Sequence, residues 1–431
     1  MELLIWVVLF IVLFALGVPV AFCIGTATIA SFLLAVDFLP AVNTVAQRMA
    51  GGLNSFALLA IPLFILSGQL MARGGIARRL IDFSKALIGM VPGGLAFVNV
   101  ISCMLFGSIS GSAVAATSAV GGFMIPEMNK DGYDRNFSAA ITATASTTGL
   151  LIPPSNILIV YAVASGGVSI AALFVAGYLP GILMGLALLI VAAGYARKHG
   201  LPAGQRVSFR ESVSRTLAAL PSLLLIFIVI GGILGGLFTA TEAGAVAVIY
   251  ALVLAMVVYK EVSVSELAQI LLRSAETTAI VMFLIGTSMA MSWLMAYENV
   301  PGEMASFLLG LSDNPIAILL LINLLLLAVG IFMDLTPAVL ILTPIFLPVA
   351  VTLGMSPVHF GIMLIMNLTI GLCTPPVGSI LFVSCAVAKT SIGKIVRPMI
   401  PMYLALFAAL LLVTYVPSFS ELLPRYFGLM D

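Results

Sequence analysis

Residues 149–155 read Gly-Leu-Leu-Ile-Pro-Pro-Ser, and residues 371–376 read Gly-Leu-Cys-Thr-Pro-Pro. Each stretch lies inside a long apolar segment and interrupts it with two prolines, which donate no backbone N–H and so break a helix. The two stretches are 222 residues apart. The same offset relates further landmarks: Ile125-Pro126 to Leu347-Pro348, Gly132 to Gly354, and Ser169-Ile170 to Ser391-Ile392. The chain is therefore predicted to contain an internal repeat.

The composition is that of a membrane protein. Of 431 residues, 62% are hydrophobic and 8% are charged, whereas soluble domains have about a quarter charged residues. This excludes a soluble enzyme, a disordered chain and a coiled coil. At about 20 residues per crossing, the length accommodates roughly ten crossings with short loops. The net charge of +1 offers no basic face, so we expect no nucleic-acid partner.

The repeat divides the chain into a first half at 1–200, a cytoplasmic linker at 201–216 and a second half at 217–431. Repeats of this kind are typical of transporters, in which the substrate site lies where the halves meet. The N-terminal apolar run lacks a positively charged n-region. We interpret it as a membrane segment rather than a cleaved signal.

The basic residues predict the topology. Sixteen of the 18 Lys and Arg residues fall in five short segments, which are 73–88, 127–136, 197–216, 260–276 and 389–397. By the positive-inside rule all five are cytoplasmic. Each half then crosses the membrane five times, so the second half is inverted and both termini lie on the outer side.

Two re-entrant hairpins follow from this topology. Segment 92–126 is apolar yet lies between two cytoplasmic segments, so it must enter and leave on one side; its middle, Phe106-Gly-Ser-Ile-Ser-Gly-Ser112, is a poor helix centre. Its repeat mate is 313–348, with a tip at 330–337. The flanks of the mate carry acids and no basic residue, as an outer-face loop should: Glu298, Glu303 and Asp313.

The fold class predicted is an all-α polytopic membrane protein with two inverted repeats. It has about ten crossings, two re-entrant hairpins and two Pro-Pro-broken helices, at 134–166 and 357–388. Segment 73–88 is predicted to be an interfacial amphipathic helix. The remaining helices are predicted at 2–18, 20–36, 55–72, 171–196, 217–237, 243–259, 277–297 and 398–417.

The four breaks predict two clamshell sites, because irregular backbone at membrane depth must line a cavity or be buried in protein. The first pairs tip 107–112 with break 148–156, and the second pairs tip 330–337 with break 371–378. Hydroxyls and freed carbonyls suit a hard cation such as Na⁺, and helix N-termini suit a carboxylate. The alternative is that Gly and Ser only allow close helix packing.

The candidate residues lie in these tips and breaks. For Na⁺ they are Ser108, Ser110, Gly111, Thr148 and Pro153 at the first site, and Gly330, Asp334, Thr336, Thr374 and Pro375 at the second. For the organic anion they are Ser110, Ser112, Ser155, Asn156, Asp334, Thr336, Gly378 and Ser379.

Two acids and two other polar residues leave alternatives open. An intramembrane acid is costly, so Asp334 is expected to bind the cation, hydrogen-bond the substrate or cap a helix. Glu242 is as well explained by a helix cap as by coupling. Tyr161 and Asn99 line the cavity or are structural.

Several ordered motifs resemble the large membrane subunit of TRAP (tripartite ATP-independent periplasmic) transporters. They include Phe106–Ala113, Ile152-Pro-Pro-Ser155, Met333-Asp-Leu-Thr-Pro337 and Ile370–Gly378, and the resemblance spans nearly the whole chain. One local departure is Thr239-Ala-Thr-Glu-Ala243, where the family usually has Thr-Pro-Thr-Glu-Ala.

The resemblance implies Na⁺-driven import of an organic anion across a bacterial inner membrane. The outer side, where the charge pattern places both termini, is then the periplasm. It implies a small four-helix membrane subunit, a periplasmic binding protein that delivers the substrate, and an elevator fold like that of the ion-transporter superfamily. The tip and break of each half match the family's two Na⁺ sites, with the substrate between them.

Two rival functions remain. A stand-alone Na⁺/dicarboxylate carrier of similar architecture would need no binding protein. The other rival is an intramembrane enzyme, an aspartyl or serine protease. An aspartyl site would need two neighbouring carboxylates, and Asp334 has no evident partner in the sequence. A serine site would need a base, and we expect neither histidine at membrane depth. We therefore do not expect an enzyme.

Overall fold

The structure, a computed structural model, describes residues 2–201, 203, 208–312 and 314–430, and its regular elements there are all helices. The first half holds α1 (Glu2–Ala15), α2 (Val20–Ala35), α3 (Phe38–Leu53), α4 (Ala60–Arg73), α5 (Ile76–Ile88), α6 (Gly94–Ser110), α7 (Ala113–Lys130), α8 (Arg135–Thr148), α9 (Asn156–Ala164) and α10 (Ile170–His199). The second half holds α11 (Phe209–Leu234), α12 (Ala240–Val253), α13 (Val264–Tyr297), α14 (Val300–Leu311), α15 (Pro315–Phe332), α16 (Leu335–Thr352), α17 (Pro357–Gly371), α18 (Ser379–Ala388), α19 (Ile392–Tyr415) and α20 (Ser418–Tyr426).

The helices are long and apolar, as the composition predicts. Eight spans among the described residues are long and apolar enough to cross a membrane. One of them joins a 3-10 turn, Phe56–Leu59, to α4, and another joins α12 to a π-helical turn, Leu254–Val258. The number of crossings and the inverted orientation of the second half stay predictions.

Each predicted hairpin consists of two helices joined by a two-residue turn. Between α6 and α7 the turn is Gly111-Ser112, where Gly111 has φ +62° and Ser112 Oγ accepts the Ala115 N–H at 3.2 Å. Between α15 and α16 it is Met333-Asp334. Both turns lie at the predicted tips. Asp313, at the predicted start of the second hairpin, lies outside the described residues.

Both predicted breaks interrupt a helix at the Pro-Pro pair. The first separates α8 from α9 and contains a cis Pro153-Pro154 bond. The second separates α17 from α18 and contains a cis Pro375-Pro376 bond. The helical parts begin and end within a few residues of the predicted segments 134–166 and 357–388.

Some helix boundaries differ from the predicted ones. Helix α11 begins at Phe209, so the end of the predicted linker 201–216 is helical; an ion pair of 2.6 Å between Glu211 and Arg215 lies in its first turns. Helix α13 begins at Val264 rather than 277, because Ser263 and Glu266 form a capping box. Arg206, in the linker, lies outside the described residues.

Three helices were missing from the prediction: α3, α14 and α20. Helices α3 and α20 have a polar side, and that polarity hid them from a search for uninterrupted apolar runs. Helix α14 lies in the segment whose acidic residues predict an outer-face loop. Helix α5 corresponds to the predicted amphipathic segment 73–88: Leu80 is buried and Arg78 is exposed.

The hairpins and broken helices pack crosswise between the halves. Helix α7 of the first hairpin packs against α18, and α16 of the second hairpin packs against α9. Helices α4 and α12 pack together, and α13 packs against α2 and α3. The four broken elements therefore form one packed unit that joins both halves of the chain.

Candidate functional site

The first site is a close contact between the tip 107–112 and the break 148–156. A Cβ on Gly149 would lie 2.5 Å from the Gly107 Cα, so only glycine fits where α6 meets the end of α8. A Cβ on Gly111 would lie 3.1 Å from Asn156 Nδ2. The structure thus brings together the tip and break that the sequence paired.

The hydroxyls of the first site donate to their own backbone. Ser108 donates to the Leu105 carbonyl at 2.9 Å, Thr148 to Ala145 at 2.6 Å, and Ser155 to Leu150 at 2.5 Å. A hydroxyl that donates one hydrogen bond keeps lone pairs that can face a cation. The Leu150 carbonyl, one turn before Pro154 and so deprived of its helical donor, is satisfied by Ser155.

One polar atom of the first site has no partner. Asn156 Oδ1 is buried, and no described residue donates a hydrogen bond to it. A buried acceptor without a donor costs about 1–3 kcal/mol. Asn156 lies against Gly111 of the tip, so this oxygen is available at the place where a transported ion or a substrate donor is predicted.

The second site repeats the glycine contact of the first. A Cβ on Gly371 would lie 2.6 Å from the Gly330 carbonyl carbon, so α15 and α17 also meet glycine on glycine. The Gly378 N–H donates to the Ile331 carbonyl at 3.4 Å, which links the end of the break to the tip. The predicted pairing of tip 330–337 with break 371–378 is therefore present in the structure.

Two carbonyl oxygens converge at the second break. The Leu372 and Thr374 oxygens each lie 3.0 Å from the position where a Gly378 Cβ would be. Gly378 has φ +31°, a conformation that L side chains rarely adopt. Pro376 has no N–H to donate to Leu372 one turn earlier, and neither oxygen accepts a hydrogen bond from a described residue. The second site thus presents unpaired carbonyls, the ligands that hard cations favour.

Asp334 and its neighbours lie on the open side of the second site. Asp334 precedes α16 but makes no capping hydrogen bond, and its side chain is exposed. The helix-cap alternative for Asp334 is therefore not realised in this structure. Thr336 and Pro375 are half-buried, and Ser379 is exposed in the first turn of α18. Thr374 Oγ1 donates to the Ile370 carbonyl at 2.8 Å.

The other singled-out residues have structural roles. Glu242 forms a capping box with Thr239, whose N–H and hydroxyl both lie 2.8 Å from Glu242 Oε2. The buried Tyr161 hydroxyl donates to the Pro357 carbonyl at 2.5 Å. The buried Asn99 donates to Thr142 Oγ1 at 2.6 Å. A coupling role for Glu242 stays a prediction.

Sequence reasoning missed two contributors to the second site. The hydroxyl of Tyr403, on α19, donates to the Cys373 carbonyl inside the break. Asn367 on α17 donates to the backbone oxygen of Asn323 on α15 at 2.8 Å. The repeat gave no signal for Tyr403, because the residue 222 positions earlier is Gly181. Two asparagines inside apolar helices were a signal for the second pair.

Comparison with known proteins identifies the family. The family model described as "Tripartite ATP-independent periplasmic transporter, DctM component" matches residues 7–419. An uncharacterized protein of Salmonella typhimurium, YgiK, is 54% identical over 97% of this chain and 96% of its own length. The C4-dicarboxylate TRAP transporter large permease protein DctM of Pseudomonas aeruginosa is 43% identical over 90% of this chain and 91% of its own.

Two further matches bear on architecture. The isethionate TRAP transporter permease protein DctMQ of Oleidesulfovibrio alaskensis is 40% identical over 97% of this chain, which covers 65% of that longer protein. The crystal structure of the Alcanivorax borkumensis YdaH transporter superposes with a TM-score of 0.60 over 89% of this chain and 90% of that chain, at 17% identity. It shares the fold alone. The full-length family match shows that this chain belongs to the DctM family, the large membrane permeases of TRAP transporters, and is a multi-pass inner-membrane transporter rather than an enzyme.

Proposed function

We propose that this permease imports a small organic anion, in symport with Na⁺, across a bacterial inner membrane with both termini in the periplasm. The observation that carries the proposal is the pair of unpaired carbonyl oxygens, of Leu372 and Thr374, that converge at the second break. Neutral oxygens of this kind bind a hard monovalent cation. Unlike a carboxylate, they do not take up a proton.

The second site supplies the larger part of the proposed Na⁺ coordination. Thr374 and Thr336 are proposed to add hydroxyl oxygens to these two carbonyls. Asp334, exposed at the tip, adds a negative charge that attracts a cation. At the first site, Ser108, Ser110 and Thr148 surround the contact between Gly107 and Gly149 and supply a second set of neutral oxygens.

The anion is proposed to bind between the two sites, at helix N-termini. Ser112 and Ser155 directly precede α7 and α9, and Asn156 is the first residue of α9. The positive end of a helix dipole stabilises a carboxylate. The Asp334 charge would repel that carboxylate, so Asp334 belongs on the cation side of the site or beside substrate hydroxyls. Gly378 and Ser379, at the start of α18, complete the proposed anion contacts.

The substrate class rests on the relatives. One is named for C4-dicarboxylates and another for isethionate, so carboxylate and sulfonate headgroups both occur in the family. Both substrates are small anions, and a site built from helix N-termini favours small anions. We propose a small carboxylate as the substrate, such as a C4-dicarboxylate, a sialic acid or a sugar acid.

Two protein partners complete the proposal. A small four-helix membrane subunit and a periplasmic binding protein are the other components of a TRAP transporter. The DctMQ relative is a longer single protein of which this chain covers 65%, which is consistent with a fused second component. The family assignment favours this tripartite arrangement over the stand-alone carrier.

The transport movement is proposed to be of the elevator type. The two hairpins and two broken helices form one packed unit across the halves. That unit would slide against α4 and α11–α13. One close approach between the two parts is at Gly68 on α4, where a Cβ would lie 2.7 Å from the Ser110 carbonyl oxygen.

The first experiment compares the melting temperature of the purified permease in NaCl and in KCl of matched ionic strength. We expect a saturable stabilisation specific to Na⁺, because a ligand that binds only the folded state stabilises it by mass action. An identical response to K⁺ would remove Na⁺ from the proposal and direct attention to proton coupling through Asp334. The fold and the family would be unaffected by that outcome.

Uptake by the reconstituted three-component system then tests individual residues. We expect Asp334→Ala and Ser110→Ala each to abolish Na⁺-driven uptake while membrane insertion is unchanged. The matched control is Asp37→Ala, since Asp37 is also exposed and also precedes a helix without capping it. Normal uptake by Asp334→Ala or Ser110→Ala would exclude that residue from the site. Uptake without the binding protein would instead support the stand-alone carrier.

A further inference from the structure

A long apolar cavity runs between α10 and α11. Its volume is about 730 Å³. Tyr178 and Leu186 of α10 line one side, and Phe227 and Gly231 of α11 line the other. The side of α6, from Ile101 to Ser108, forms the floor, and Leu423 and Phe427 at the C-terminus lie at one end. The cavity therefore separates the first hairpin from α11.

The cavity is lined by two helices that are candidate membrane spans. Helices α10 and α11 are both long and apolar enough to cross a membrane. The lining residues that these two helices contribute fall within Val175–Leu189 and Leu223–Leu234, and nearly all of the lining is apolar. The cavity is continuous with the lipid-facing surface, because two of its lining side chains are largely exposed: Phe227 at 72% and Leu186 at 52%.

The lining and the mouth of the cavity indicate the occupant. The stretch Val175–Leu189 is about 21 Å long at 1.5 Å per residue, and the cavity opens to the lipid-facing surface at Leu186, within this stretch. A helix of a partner subunit is the rival occupant, and the labelling experiment below distinguishes it from lipid. Water would need two to four polar partners, and the lining offers almost none.

An extended hydrocarbon chain fits these limits. It is much thinner than a helix, and a length of about 21 Å exceeds the roughly 15 Å of one leaflet's hydrocarbon core. We propose that the acyl chain of a bilayer phospholipid occupies this cavity and separates the α6 side of the first hairpin from α11.

The proposed chain has a mechanical consequence. Without it, side chains of α6 and α11 that face the cavity would have no packing partners, and a void in a membrane protein forfeits dispersion contacts. A fluid chain fills the space while allowing α6 to move relative to α11. Close side-chain packing between the two helices would hold them in one position.

The experiment uses a phospholipid that carries a photoreactive diazirine near the end of its acyl chain. The full chain is reconstituted into phosphatidylcholine vesicles doped with this lipid, irradiated and digested, and labelled peptides are identified by mass spectrometry. We expect label on Ile101, Met104 or Leu105, which form the floor of the cavity and are only partly exposed. Label on the outer surface of the helices serves as the internal reference.

The test variant is Gly231→Phe. Gly231 lines the cavity and nothing lies within 4 Å of a Cβ built on it, so a phenylalanine ring there has space at the cavity wall without displacing backbone. The matched control is Gly194→Phe, because Gly194 on α10 is exposed, equally free of neighbours and outside the cavity lining. We expect Gly231→Phe to lose the α6 label and Gly194→Phe to keep it. Gly231→Leu, a smaller change, repeats the test if the phenylalanine variant does not fold.

Three outcomes would overturn the proposal. One is the absence of α6 label in the wild-type protein. Another is equal α6 label in Gly231→Phe and Gly194→Phe. The third is α6 label that disappears when the small membrane subunit is bound, which would assign the cavity to that subunit.

Discussion

The two Pro-Pro breaks both begin with Gly-Leu and both contain a Pro-Pro pair, but they differ in the residue directly after the prolines. In the first break the Leu150 carbonyl accepts a hydrogen bond from Ser155 at 2.5 Å. In the second break the corresponding carbonyl is that of Leu372, and the residue that corresponds to Ser155 is Val377. Since valine donates no side-chain hydrogen bond, the Leu372 oxygen stays unpaired and lies near the Thr374 oxygen.

The two sites also differ in the exposure of their side chains: those of the first site are more buried than those of the second. Thr148, Ser108 and Ser155 of the first site are buried, and α4 approaches its tip at Gly68. Asp334, Val377 and Ser379 of the second site are exposed. The comparison indicates that the first break satisfies its own backbone within the protein, whereas the second leaves oxygens available to an ion. The two copies of the break thus differ in how completely their backbone carbonyls are hydrogen-bonded within the protein.

The largest effect is expected where the two sites are alike, at the glycine contacts. In Gly371→Ala the added Cβ would lie 2.6–2.9 Å from three backbone atoms of Gly330, which cannot move as a flexible side chain would. Overpacking of this kind costs about 1–3 kcal/mol and occasionally more. We expect a lower melting temperature and loss of Na⁺-specific stabilisation.

Gly122→Ala is the control for this change. Gly122 lies in α7 with nothing within 4 Å of a Cβ, so alanine there is expected to stabilise the helix by about 0.5–1 kcal/mol. Gly149→Ala should resemble Gly371→Ala in melting temperature, since its Cβ would meet Gly107 at 2.5 Å. A neutral Gly371→Ala would mean that the second tip and break separate easily.

The next effect tests the internal satisfaction of the first break. Ser155→Ala removes the donor to the Leu150 carbonyl and leaves a buried acceptor unpaired, at a cost of about 1–3 kcal/mol. We expect a lower melting temperature in KCl, where no Na⁺ can compensate. Ser165→Ala is the control: its hydroxyl also donates to a carbonyl, that of Ala162, but this carbonyl keeps the Gly167 N–H at 3.0 Å. Equal melting temperatures of Ser155→Ala and Ser165→Ala would show that the Ser155 hydrogen bond does not stabilise the first break.

A third prediction converts the second break toward the first. Val377→Ser places a hydroxyl where the first break has Ser155, so the Leu372 carbonyl gains an internal donor and is less available to Na⁺. We expect the half-saturating Na⁺ concentration to rise roughly tenfold, equivalent to about 1.4 kcal/mol. Na⁺-dependent melting and Na⁺-dependent uptake both report it.

Val377→Ala separates the hydroxyl from the loss of valine. Val377 is 41% exposed, so its truncation removes little packing, and the alanine variant should keep the wild-type Na⁺ dependence. If Val377→Ser also keeps it, the Leu372 carbonyl is not a ligand. The comparison between the breaks would then describe packing only.

The sequence was sufficient for the parts of this fold that depend on backbone chemistry. Pro153-Pro154, Pro375-Pro376 and the Gly-Ser tip at 107–112 each mark a place where a helix must stop, and the structure stops helices there. The pairing of each tip with its break also followed, because two irregular segments at membrane depth have to cover one another.

The sequence was insufficient where the outcome depends on side-chain direction. Asp334 was compatible with a cap, a cation ligand or a substrate contact, and only the geometry shows that no capping bond is formed. Helix α20 escaped prediction because its polar side resembles a loop, although His359 hydrogen-bonds Ser420 of this helix at 2.5 Å. Pro376 predicts that the Leu372 carbonyl lacks its helical donor, but residue types alone do not predict that this oxygen and that of Thr374 both lie beside Gly378.

The smallest effect is expected from the residue that the repeat does not duplicate. Tyr403 donates to the Cys373 carbonyl from α19, and this bond fixes the peptide that leads into Thr374. In Tyr403→Phe the carbonyl is free to turn, so the Thr374 oxygens should be less well placed for Na⁺. A neutral hydrogen bond contributes about 0.5–1.5 kcal/mol, so we expect the half-saturating Na⁺ concentration to rise by a factor of about 2–10. The maximal uptake rate should change little.

Tyr415→Phe is the matched control for Tyr403→Phe, because Tyr415 is also on α19 and donates to a backbone carbonyl, that of Ile316, at 2.9 Å. Ile316 is in the first turn of α15, at the opposite end of that helix from the tip, so its variant should leave the Na⁺ dependence unchanged. An equal shift in both variants would show that α19 acts through general packing, whereas a shift in Tyr403→Phe alone would show that one hydroxyl sets the geometry of the second break.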